Sequence, residues 1–165
     1  MNRLKLFEKI ARTAHVVLAL PARTIASLPA PADEAHAFDT RNIHPDLPAK
    51  VRALYDDGHY SEATFEACKY LDKFVGKHAT GTKSGESRMM AAFNEAVPMI
   101  ALTQMLNESD KDEQKGYKFL FAGTMVAIRN PRGHEHSMQD DPYTCLDHLG
   151  IVSALLRKLN EAGFK

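Results

Sequence analysis

Apolar residues Leu4, Phe7, Ile10, Ala11, Ala14, Val17 and Leu18 recur every three or four positions. This predicts one amphipathic helix over residues 3–20, closed by Pro21. Residues 21–42 lose that period and hold Pro21, Pro29 and Pro31 among alanines and acids, the composition of a linker with room for one helical turn around Asp33–Phe38. The pattern resumes at Ile43–His44–Pro45. The expected division is an N-terminal helix plus linker over 1–42 and a compact helical domain over 43–165.

Within that domain Pro48 suits the first turn of a helix whose stripe is Val51, Leu54 and Tyr55, closed by Asp57–Gly58. Ser61 is the expected cap of a helix over about 60–76, with Ala63, Ala67, Tyr70, Leu71, Phe74 and Val75 inward and Glu62, Glu66, Lys69 and Lys73 outward. The two helices form an antiparallel hairpin. A glycine-bearing loop over 76–88 leads to a helix over 88–97, which Pro98 disrupts, and then to a short apolar stretch, 99–106, with room for a small hairpin. Ser109 with Asp112, or Asp110 with Glu113, supplies a capping box for the next helix. Gln114–Ile128 is apolar nearly all round, which places it at the centre of a bundle. Asp141–Pro142 opens the last helix, whose stripe of Leu146, Leu149, Val152, Leu155, Leu156 and Leu159 ends at Gly163. No segment of length shows a period of two. The expected fold is all-α, a bundle of four to five main helices with an extra N-terminal helix and linker.

Composition narrows the function classes. Lysine plus arginine is 21 and aspartate plus glutamate is 21, so no global field draws in nucleic acid, and anion binding requires a local cluster. Two cysteines in different segments make neither a disulfide framework nor a CxxC pair, which fits a reducing, cytoplasmic setting. Glu8, Lys9, Arg12 and His15 interrupt the apolar N-terminal segment, so it reads as an amphipathic helix rather than a signal peptide. No run reaches the roughly 18 apolar residues of a membrane span, and no membrane partner is expected. Gly76, Gly81 and Lys83–Ser84 look like a phosphate loop, but Thr82 separates glycine from lysine and the preceding element is a helix. A plainer reading is a basic connector that touches a phosphate backbone through Lys77, Lys83 and Arg88.

The chemistry concentrates in AIRNPRGHEHSMQDDP, residues 127–142. Asn130 precedes Pro131 and is pushed from helical geometry, so the central helix should stop near Arg129 and a proline–arginine–glycine bend should carry His134 back toward it. A guanidinium always carries its charge and binds phosphate through two parallel hydrogen bonds. An imidazole exchanges protons near neutral pH. Without a serine or cysteine nucleophile, the pair suits RNA phosphodiester cleavage, where the 2′-hydroxyl attacks. The plain alternative is a helix-capping arginine and a loop histidine.

Arg129–Asn130–Pro131–Arg132–Gly133–His134 resembles the R-x4-6-H motif of the HEPN superfamily. FLFAGTMVAIRNPRGHE, with DEQKGYK before it and IHPDLPAKVRALYDDGHYSEATFEACKYL upstream, resembles the Ymh-type prokaryotic HEPN proteins over roughly residues 43–160. The resemblance implies an all-α homodimer whose arginines and histidines face one cleft. It also implies a metal-independent endoribonuclease, without cofactor, of a toxin–antitoxin, abortive-infection or other antiphage system, in which an antitoxin or defence protein is the partner. Carried over, Arg129 would hold the scissile phosphate, His134 would be general base or acid, and Asn130 would orient them. Arg132 and His136, with Lys83 and Arg88 from the loop, would help bind the RNA. Glu66 and Lys69 are similar to a weaker acidic–basic motif of some relatives, though a surface ion pair explains them.

Two rivals come from other classes. His134, His136, Cys145 and His148 have the ligand types of a zinc site, although Cys145 also falls on the last helix's core face. A non-catalytic HEPN module, binding protein or nucleotide within a multi-protein defence complex, is the other. In it the N-terminal helix would cover the dimer or a partner groove, or pack on its own bundle.

Overall fold

The turn after Phe38 folds back because His36 caps it: its Nδ1 accepts from the Phe38 amide at 3.0 Å. The resulting turn of helix, α1 (Ala37–Thr40), places Phe38 in the core beside Ile43 and Leu47. This is the first element of a computed structural model that describes residues 35–134 and 138–165. The helix expected over 3–20, residues 21–34 of the linker and His136 lie outside the described residues. His36–Lys165 forms one unit, all-helical, with no strand among the described residues.

Helix α2 (Ala49–Asp56) and helix α3 (Tyr60–His78) make the expected antiparallel hairpin across the Gly58 turn, where φ is +80°. Ser61 does not cap α3, since His59 precedes the helix without a side-chain bond. Helix α4 (Gly85–Ala92) is shorter than expected, because the Asn94 carboxamide accepts from the Ala96 and Val97 amides and turns the chain away. Residues 99–106 form no hairpin. Buried Gln114 instead takes the Leu102 amide at 2.8 Å and donates to the Phe93 and Ile100 carbonyls, serving the groups a second strand would have served.

Helix α5 (Glu108–Gly123) starts earlier than its expected capping boxes. Asn107 accepts from the Asp110 amide, and Asp110 reaches back to the Leu106 amide, each at 2.9 Å. The last helix, α7 (Pro142–Glu161), is capped by Asp141 and ends before Gly163 at φ +91°, as its pattern predicts. The centre of the bundle is α3, not the segment 114–128. Small residues Ala63, Ala67 and Cys68 on α3 let α7 and the segment after α5 approach closely, and all three are fully buried. The segment expected to be buried all round leaves Phe119, Leu120 and Val126 exposed at 53%, 56% and 45%. Among the described residues no helix is long and apolar enough to cross a membrane.

Candidate functional site

The chain does not break at Asn130–Pro131. After α5 it widens into a π-helical turn, Thr124–Arg129, in which the Asn130 amide donates to Met125, five residues back. Asn130 is helical at φ −64°, ψ −44°, and helix α6 (Asn130–His134) follows without interruption. A proline in a regular helix removes one amide donor and presses its ring on the carbonyl four residues earlier. The wide turn directly before Pro131 relieves that contact. Arg129 and His134 thus stand on continuing helix, about 140° apart in azimuth by ordinary helical twist. The bend expected to fold one onto the other is absent.

Arg129 is half-buried and held by two groups, with Gly85 close by. Its Nη1 donates to Asn130 Oδ1 at 3.2 Å, its Cζ lies 5.7 Å from the centroid of the Phe65 ring, and Nη1 passes 3.7 Å from where a Cβ on Gly85 would stand. No carboxylate neutralises it among the described residues. Its Nε is buried and has no hydrogen-bond partner among the described residues. Cys68 on α3 is fully buried. Burial pushes that thiol up to about 12, against the pull of Arg132 and Arg129, so it stays protonated and is no nucleophile. His134 is exposed at the end of α6.

Arg132 is not available to a substrate. Its guanidinium makes two parallel bonds to Asp140, Nε–Oδ2 at 2.6 Å and Nη2–Oδ1 at 2.5 Å. Nη1 donates to the Ile128 carbonyl at 2.7 Å, and the side chains of the pair are only 6% and 5% exposed. His148 Nδ1 lies 3.2 Å from Nη2; burial first, then Arg132, lowers its pKa, and neutral imidazole accepts from the arginine. Ser61, freed from capping, donates to the Met138 carbonyl and accepts from the Asp140 amide, fixing the far end of the same segment to α3. Asp140→Ala should therefore leave a buried unpaired guanidinium and destabilise the fold by about 3–5 kcal/mol. Thermal or urea unfolding of the variant measures this directly.

Arg88 is likewise committed. Nη1 donates to both Oδ1 and the backbone carbonyl of Asp72 at 2.8 Å, and Asp72 also takes the Gly85 amide at 3.0 Å. Its guanidinium lies so close to Gly76 that a Cβ there would come within 2.9 Å of Cζ. Lys83 is exposed, on the rim of a cavity of about 250 Å³ that Thr80, Arg88 and Met99 also line. Of the described residues expected to touch a phosphate backbone, Lys77 and Lys83 are open to solvent; Arg88 and Arg132 hold the fold. Glu66 makes the expected ion pair with Lys69 at 3.0 Å and a longer one with Lys50 at 3.4 Å. Of the zinc-type residues, Cys145 is fully buried in the core and His148 faces Arg132, while His134 points to solvent.

Sequence reasoning missed Phe65 and Asp140. Phe65 lies beside the core stripe of α3, where its period suggests only packing. Asp140 precedes a strong cap signal that absorbs attention. A buried arginine needs an acid, and QDDP offers one more than the cap uses; that surplus was the available signal.

A family model described as "Protein of unknown function (Hypoth_ymh)" matches residues 41–159. No curated protein and no solved structure matches the chain.

Proposed function

The chain belongs to the Ymh family, a family of unknown function, and on that premise we propose that it is a HEPN-type, metal-independent endoribonuclease. The observation that carries this is Arg129: a guanidinium held by an amide and an aromatic ring, with no acid against it and a buried Nε unpartnered among the described residues. A structural arginine is normally neutralised, as Arg132 and Arg88 are. Arg129 keeps its charge for an anion.

The azimuth between Arg129 and His134 favours a cleft shared by two copies. Gly116, Phe119, Leu120, Gly123, Val126 and Ala127 are exposed at spacings of three and four, and Gly133 and His134 are exposed beyond the π turn. A second copy laid on this stripe by a two-fold axis brings both motifs to one end of the interface. There His134 of one copy takes the 2′-hydroxyl proton, O2′ attacks phosphorus, and the P–O5′ bond breaks as the second copy's His134 protonates O5′. Arg129 stabilises the crowded phosphorane, and Asn130 orients it. The products are a 2′,3′-cyclic phosphate and a 5′-hydroxyl. The setting proposed is a cytoplasmic toxin–antitoxin or antiphage system, with an antitoxin or defence protein as partner.

Wild type and His134→Ala expressed side by side test the reading. Wild type alone should arrest growth, and the purified protein should cut RNA with EDTA present, leaving those ends. Equal behaviour of the two proteins would remove catalysis and leave a binding module.

A further inference from the structure

Phe65 touches both halves of the motif. Its ring centroid lies 5.7 Å from Arg129 Cζ. A Cβ on Gly133 would lie 2.9 Å from Phe65 Cε2, closer than such carbons approach, with Cζ in ordinary contact at 3.6 Å. Gly133 sits within α6 and its φ is not positive, so the backbone itself does not call for glycine there. The space does: glycine weakens a helix, and at 133 it admits the ring.

We propose that Phe65 is a positioning residue that sets Arg129 against the His134 end of α6, and that Gly133 is the glycine it is because of this ring. The proposal rests on the nuclease reading for the reaction it serves. Ser61 and Phe65 stand four apart along α3, and each meets a different part of the segment that carries the motif. Ser61 holds Met138 and Asp140, and Phe65 faces Arg129 and Gly133. Helix α3 thus grips the motif and the segment after it at two points. An aromatic face is also the right holder for a phosphate-binding guanidinium. It attracts the cation through its quadrupole and leaves the charge and the N–H fork unneutralised, where a carboxylate would consume both.

The test uses the full chain. Phe65→Leu and Gly133→Ala should each lower kcat for RNA cleavage by roughly ten- to a hundredfold, with KM little changed, because a misplaced group costs that much without loss of binding. Together they should do no worse than Phe65→Leu alone, since both remove one contact. The Arg129 Nε–H resonance should lose a ring-current shift in Phe65→Leu and change in Gly133→Ala. Wild-type rates in both variants, or effects that multiply in the double variant, would overturn the positioning role while the wild type still cuts. If the wild type cuts nothing but the Arg129 resonance moves as stated, the nuclease reading fails and the ring–guanidinium contact stands. An unmoved resonance overturns the contact whatever the activity.

Discussion

Arg129→Ala is expected to lower the rate of RNA cleavage on the order of a hundred- to a thousandfold, the loss typical of one preorganised donor at a developing charge. The fold should hardly notice. Among the described residues Arg129 makes one side-chain hydrogen bond, to its neighbour Asn130, and leaves a buried Nε without a partner, so its removal costs the fold little. Arg132, three residues on, is the internal control: it is bidentate to Asp140 and caps the Ile128 carbonyl, so Arg132→Ala should fail by unfolding. Arg129→Lys should restore little, because an ammonium cannot lie flat against Phe65 and still offer two parallel donors. Cleavage rates at saturating RNA, measured beside melting temperature, separate the two arginines. Unchanged cleavage in a folded Arg129→Ala protein would end the phosphate-binding role.

What was legible in the chain was whatever bonds close in sequence. Asp141 takes the Tyr143 and Thr144 amides, and Gly163 turns the chain two residues after its helix ends; both signals stand next to the bonds they describe. The leucine stripe of α7 gave the core face for the same reason. The site was legible only in its residue types. Asn130–Pro131 gives a stop signal that is sound for a regular helix, but the π turn before it, packed on α3, accommodates the proline and lets the helix continue. Arg132 and Asp140 close an irregular loop, and Phe65 reaches Arg129 from a distant helix, so neither pairing has a period to find. By charge alone the three arginines are alike. Only packing separates Arg129 from Arg132 and Arg88, and it does so through partners: two have acids and one has a ring.

The same distinction explains the helix that looked buried all round. Its apolar content is as high as the pattern indicates, but the described residues leave the Leu120 side uncovered. Leu120→Glu should therefore do little to the isolated fold, since the side chain is already 56% exposed, and much to the assembly. A glutamate near a two-fold axis faces its own copy, and like charges brought together at an interface cost several kcal/mol. Each 1.4 kcal/mol is about a tenfold change in Kd, so dimerisation should weaken on the order of a hundredfold or more. Light scattering should show the wild type as a dimer and Leu120→Glu as a monomer of unchanged melting behaviour, with cleavage falling to the level of His134→Ala. A monomeric Leu120→Glu protein that cuts RNA at the wild-type rate would show that one chain holds the whole site, and the 140° between Arg129 and His134 would then have to be spanned by side-chain reach alone.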